Sequence, residues 1–119
     1  MTVEHLQEFI DAWVRRDVEA VMTFIAEDCV YETAIGPEPG QTYRGRAAIQ
    51  QKFTELLADE DDGELQFGPI TISGDRGAQE WAYTETGADG RTIKHRGCDL
   101  FEFIGDKIRH KNVFRKTFQ

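Results

Sequence analysis

Residues Arg96-Gly97-Cys98-Asp99-Leu100-Phe101-Glu102-Phe103 (RGCDLFEF) alternate as a strand does. One phase carries Arg96, Cys98, Leu100 and Glu102, and the other carries Gly97, Asp99, Phe101 and Phe103. Successive side chains of a strand point to opposite faces, so Asp99 shares a face with two phenylalanines. Either that face is not the core, or the core holds a carboxylate for a reason.

Outward from this stretch the pattern stays β. Thr92 to Phe103 reads as one strand and Ala78 to Thr86 (AQEWAYTET) as the strand before it, with Asp89-Gly90 between them as a hairpin signal. Gly105-Asp106 turns the chain, and Ile108 to Phe118 closes the sheet. Leu65, Phe67, Ile70 and Ile72 fit an interrupted strand, with Gly68-Pro69 as a bulge or edge. The first half is helical. Thr2 is positioned to cap a helix whose stripe is Val3, Leu6, Phe9, Ile10, Trp13 and Val14. Asp17 caps a second helix with the stripe Val18, Val21, Met22 and Ile25, broken at Glu27-Asp28. Cys29 to Ala34 reads as a short strand, and Gly36-Pro37-Glu38-Pro39-Gly40 as a loop. After Gly45 comes a third helix with Ala48, Ile49, Phe53, Leu56 and Leu57 inward, ending at Asp59 to Asp62, an expected solvated loop. This order predicts an α+β fold with a curved, mostly antiparallel sheet wrapped over three helices. Such a sheet leaves a hollow between its concave face and the helices, and Asp99 would point into it.

The totals narrow the function classes. A chain of 119 residues is one domain, here residues 1–119. A net charge of −8 opposes nucleic-acid and anionic-membrane binding, since both need cationic surface. No apolar run approaches the ~20 residues of a membrane span, and the N-terminus lacks a signal-peptide pattern. The expected location is the cytoplasm. Two cysteines, Cys29 and Cys98, are too few for a disulfide framework. Phosphate-loop, dinucleotide and nucleophile-elbow motifs are absent, and His5, His95 and His110 lack metal-ligand spacing. No cofactor and no metal are expected.

Several pieces together resemble the nuclear-transport-factor-2-like superfamily, in its SnoaL-like and ketosteroid isomerase-like branch. They are Asp17-Val18-Glu19-Ala20-Val21, Ala26 through Glu32, Tyr43-Arg44-Gly45-Arg46-Ala47-Ala48-Ile49, Asp99 through Phe103, and Asp106-Lys107-Ile108. The resemblance spans nearly the whole chain. It implies a cone-shaped α+β barrel and a homodimer formed through the outer sheet face. It also implies a pocket for a small apolar, oxygen-bearing ligand, with cofactor-free acid–base chemistry of isomerase, cyclase or hydrolase type. The fold also carries plain binding modules, so a non-catalytic ligand-binding or dimerisation role stays open. Of the three steroid-isomerase groups, the tyrosine position is Phe9 and the base position is Thr33; only the later-strand aspartate survives, as Asp99. At the Asp99 position polyketide cyclases of the SnoaL type carry a histidine, and their second acid falls near Val113. Neither chemistry transfers intact.

Asp99 is the candidate acid or base, or else a structural carboxylate. Lys111 is its candidate charge partner, and Arg115 a counter-ion to Asp99 or to a ligand carboxylate. The alignment points Lys111, Val113 and Arg115 inward, although a bulge would swap their phase. Tyr31 and Thr33 are candidate ligand contacts. Phe9, Trp13, Phe53, Phe101 and Phe103 are expected to form pocket wall and core. Trp81 and Tyr83 are placed on the outer face as dimer contacts, with Glu80 inward as a second pocket acid. His95 is expected near the rim.

Overall fold

The computed structural model describes residues 1–58 and 63–116. The expected acidic loop at residues 59–62 and the expected strand end at Phe118 lie outside them. Helix α1 (Val3–Val14) starts as its sequence predicts, with the Thr2 hydroxyl accepting from the His5 backbone N–H. Its buried face is Leu6, Phe9, Ile10 and Ala12, while Val3 and Val14 at the two ends of the expected stripe are exposed. Asp17 caps α2 (Val18–Met22) by accepting from the Ala20 N–H. Helix α3 (Arg46–Ala58) presents Ile49, Phe53 and Leu57 to the core.

Glu27-Asp28 does not end a helix. The strand β1 (Ile25–Glu32) is already running there, and the two acids are exposed where its pairing with the last strand lapses between Ile25 and Val30. A short strand β2 (Thr42–Arg44), which the sequence alone hides, pairs antiparallel with Val30–Glu32. Four long hairpin-linked strands follow: β3 (Glu64–Ser73), β4 (Arg76–Thr86), β5 (Thr92–Ile104) and β6 (Lys107–Lys116). The ladder between β3 and β4 shifts between Phe67 and Ile70, at the predicted Gly68-Pro69. The sheet order is β2-β1-β6-β5-β4-β3, antiparallel except for the parallel β1–β6 pair. The sheet is curved and open, so it is not a closed barrel.

The core lies between the helices and one end of the concave face. Phe9, Phe53, Ile49 and Ile108 are wholly or almost wholly buried there, with Phe101 stacked on Phe103. Toward the other end of β4, β5 and β6 the helices no longer cover the sheet completely, and the apolar filling gives way to a hollow.

Candidate functional site

Register places the site residues. Asp99 pairs with Val113 of β6 on one side and Gln79 of β4 on the other. Its face therefore also carries Lys111 and Arg115, opposite Phe101 and Gly97, together with Trp81 and Tyr83, opposite Gly97 and His95. The ladder shift between Glu102 and Phe103 lets Ile108 and Lys111 both point inward.

Asp99 and Lys111 are 7% and 6% exposed, which makes them buried charges that need partners. They have each other, with Lys111 Nζ 3.2 Å from Asp99 Oδ2. The Trp81 indole N–H donates to Asp99 Oδ1 at 2.9 Å. The Lys111 ammonium lies 5.1 Å from the Trp13 ring centre and 4.9 Å from that of Tyr31, within cation–π range of both. Burial pushes the Lys111 pKa down, but the Asp99 carboxylate and Tyr31 outweigh it and leave the lysine above its ordinary value. Lys111 is therefore an ammonium at neutral pH. Burial first, against an opposing pull from Lys111, raises the Tyr31 phenol, which keeps it a neutral hydroxyl.

A cavity of about 310 Å³ opens beside this pair. Phe9, Ile10 and Trp13 of α1 and Leu56 of α3 form its helical wall. Leu65, Phe67, Trp81, Tyr83 and Val113 supply the apolar part of the sheet wall, and Tyr31, His95, Asp99, Lys111 and Arg115 the polar part. His95 bonds Glu85 at 2.9 Å and is held away from Asp99. A groove of about 480 Å³ adjoins the cavity and shares Phe67, Trp81 and Arg115 with it. The groove is larger, but its other charged side chains, Glu80, Arg96 and Lys116, are exposed. The buried charges face the smaller cavity, so that cavity is the candidate site.

The sequence-derived residues divide accordingly. Phe9, Trp13, Tyr31, Asp99, Lys111, Val113 and Arg115 come together around the cavity. Phe53 and Phe101 lie behind the wall as core, Phe53 edge-on to Trp13 and Tyr31. Thr33 falls past the end of β1. Its hydroxyl donates to the Ile35 carbonyl and accepts from the Gln41 N–H, so it steadies a loop and does not line the cavity. The phase expected for β4 is reversed, with Trp81 and Tyr83 inside and Glu80 exposed on the opposite face. The reason is the length of the β4–β5 connection. A two-residue Asp89-Gly90 turn would pair Ala88 with Arg91 and set Glu80 opposite Asp99. The observed ladder starts at Thr86–Thr92 and sets Gln79 there.

Gly97 has a specific role in this arrangement. A Cβ built on it would lie 2.2 Å from the Trp81 ring and 2.6 Å from the Phe114 carbonyl oxygen. The indole lies across the missing side chain and so reaches Asp99. Gly97→Ala is expected to cost ~1–3 kcal/mol from overpacking and to turn Trp81 off the carboxylate. Chemical denaturation would measure the first, and an upfield change of the Trp81 indole proton resonance the second. An unchanged indole resonance would contradict this role.

Other chemistry is poorly supported by the side chains present. Burial pushes the Cys29 thiol up to about 12, and burial together with Asp99 raises that of Cys98, so neither is primed as a thiolate nucleophile. Among the described residues no cluster of three His, Cys, Asp or Glu side chains is placed to hold a metal ion. No described helix is long and apolar enough to cross a membrane.

Residues 6–111 match the model of the SnoaL-like domain. The chain belongs to the SnoaL-like family. Solved structures of similar fold agree with that assignment. A nuclear-transport-factor-2-like protein of unknown function from Mesorhizobium loti is 25% identical, with 96% of this SnoaL-like chain and 89% of that one covered at a TM-score of 0.79. A protein of ketosteroid isomerase-like fold from Catenulispora acidiphila, solved with trimethylamine, is 21% identical over 96% of this chain and 86% of its own, with a TM-score of 0.75. The epoxide hydrolase/cyclase-like enzyme SalBIII, of pyran ring formation in the polyether salinomycin, is also 21% identical, over 96% and 89%, with a TM-score of 0.76. At such identities the last two speak for the fold of this SnoaL-like domain. No protein of curated function matches it at a significant level.

Proposed function

We propose that this SnoaL-like protein binds a small, largely apolar, oxygen-bearing molecule and performs cofactor-free acid–base chemistry on it. The observation that carries the reading is a buried, oriented ion pair, Asp99–Lys111, set in the wall of a largely apolar cavity. Buried charges that face a cleft are enriched at functional sites. Asp99 is the proton acceptor in this scheme. Each of its oxygens receives one protein donor, and each has a second lone pair for a substrate proton. The Lys111 ammonium and the Tyr31 hydroxyl are the donors for a carbonyl or developing enolate oxygen. Trp13, Phe9 and Phe67 hold the apolar body. A cyclic ketone or polyketide-like ring suits these groups, and ring-forming chemistry of the kind named for SalBIII is one outcome such a site supports.

A second reading has an observation of its own. Both Asp99 oxygens already have protein donors, which also fits a binding module whose acid only orders the wall. The two readings share ligand binding and differ in turnover. The chain has two tryptophans, and Trp13 and Trp81 both line the cavity. Titration with 2-tetralone is expected to quench their emission saturably. Val113→Phe, which fills the cavity, is expected to weaken binding ~10-fold or more. A linear, non-saturable response unaltered by Val113→Phe would defeat both readings, whereas binding without α-proton exchange into the ketone would leave the module.

We further propose a cytoplasmic homodimer. The two free cysteines suit a reducing compartment. Leu100 and Phe114, 45% and 52% exposed on the outer sheet face, supply an apolar patch for a second copy. Light scattering of the eluted protein at micromolar concentration is expected to return twice the chain mass, and a monomer mass would rule the dimer out.

A further inference from the structure

Among the described residues, Arg115 is the cationic group of the cavity wall that has no counter-charge. Asp99 neutralises Lys111, and His95 is engaged with Glu85. Arg115 makes no ion pair with any described residue, and its Nε is buried without a hydrogen-bond partner. An unpaired buried donor costs free energy that a ligand acceptor removes. The surroundings reinforce the sign. In the adjoining groove Arg96 and Lys116 add positive charge against a single acid, Glu80, although the chain as a whole carries −8. The local field therefore opposes the global one at this point. Arg115 pairs with Gly97, one ladder step of two residues from the Asp99–Val113 pair. This puts it roughly 7 Å along the sheet from the acid–base group.

From these observations we infer that the cavity selects an anionic ligand, an apolar ring system carrying a carboxylate or an equally acidic enol, whose negative group is held by the Arg115 guanidinium. This rests on the reading of the cavity as a ligand site and assigns the ligand's charge class. Arg115 is a binding residue in this scheme. Its fork of N–H donors matches a planar anion, and the contact fixes which end of the ring faces Asp99. The Asp99–Lys111 pair, being neutral overall, leaves direct contact with the anion to Arg115.

The test uses a matched pair of probes of nearly equal shape, the anion 2-naphthoate and the neutral 2-naphthamide. Binding is followed by Trp13 and Trp81 emission and by calorimetry. The wild-type protein is expected to bind 2-naphthoate about tenfold tighter than 2-naphthamide. Arg115→Met is expected to abolish that preference by weakening 2-naphthoate far more than 2-naphthamide, and Arg115→Lys to restore part of it. Equal affinities in the wild-type protein, or a preference that survives Arg115→Met, overturn the anion assignment and leave the cavity as a neutral-ligand site. Failure of both probes to bind overturns the cavity reading and this inference with it. The wild-type comparison decides the matter even where a variant folds poorly.

Discussion

Lys111→Met is expected to lower the stability of the protein by about 3 kcal/mol or more, and its Tm by roughly 10 °C. The loss comes from stranding Asp99. The pair sits in a wall where each side chain is a tenth exposed or less, and removing one member leaves a charge with little water to replace it. Trp81 keeps its hydrogen bond to Oδ1, so the carboxylate is not wholly abandoned. The lost contact of the ammonium with the Trp13 and Tyr31 rings acts in the same direction. The double variant Asp99→Asn with Lys111→Met removes both charges, keeps an acceptor for the Trp81 indole, and is expected to recover most of the loss. Urea denaturation of the four proteins of this cycle measures the coupling directly. A single Lys111→Met variant as stable as the wild type would show the pair to be energetically idle.

The same pair sets a pH dependence with a definite sign. The folded-state pKa of Lys111 is raised above its ordinary value of 10.5. The folded protein therefore holds the lysine proton more tightly than the unfolded chain does. Its contribution to stability is fully present below the ordinary lysine value and is lost as pH climbs from there through the raised folded value. The advantage of wild type over Lys111→Met should stay flat through neutral and mildly alkaline pH and shrink only above about pH 10.5. A decline already complete near neutrality would contradict a buried ammonium.

Asp99→Asn is expected to reduce α-proton exchange of 2-tetralone in heavy water by ~10²–10⁴-fold, the usual contribution of a positioned general base. Asparagine has nearly the shape of aspartate and can still accept from Trp81, but it cannot take up a proton at neutral pH. The substitution also strands Lys111, so the rate is read well below the unfolding transition, and the double neutral variant serves as the control. That variant is expected to fold and to bind the ketone while exchanging at least as slowly as Asp99→Asn, since it lacks the Lys111 donor as well. Separation of this kind assigns the loss to chemistry and not to a damaged wall. Exchange at wild-type rate in Asp99→Asn would remove Asp99 from the mechanism, leaving the SnoaL-like fold and a ligand cavity.

Much of this architecture was legible in the residues themselves. Thr2 and Asp17 cap helices because their side chains can accept from backbone N–H groups two or three residues on, which is local chemistry. Gly68-Pro69 interrupts a ladder because proline has no N–H to give. The alternation of Asp99, Phe101 and Phe103 was local too, and it correctly set a carboxylate on the concave face. The inward direction of Lys111 came from the family resemblance and depended on whether the last strand carries a bulge, and the ladder from Phe101–Lys111 to Asp99–Val113 brings its ammonium into contact with Asp99.

What the sequence by itself determined was the α+β order of elements, their caps and turns, and the inward face of β5. Each follows from interactions within a few residues. The tertiary structure alone decided which face β4 shows the cavity and what completes the shell of Asp99. The parity of a ladder depends on whether the β4–β5 loop holds two residues or five, and both are compatible with an Asp89-Gly90 turn. One register step exchanges Glu80 for the Trp81 face, converting an expected second acid into an indole donor. Whether Thr33 reaches the cavity likewise depends on where pairing with β6 stops, at Glu32–Asn112. These are long-range pairings, and no local pattern fixes them.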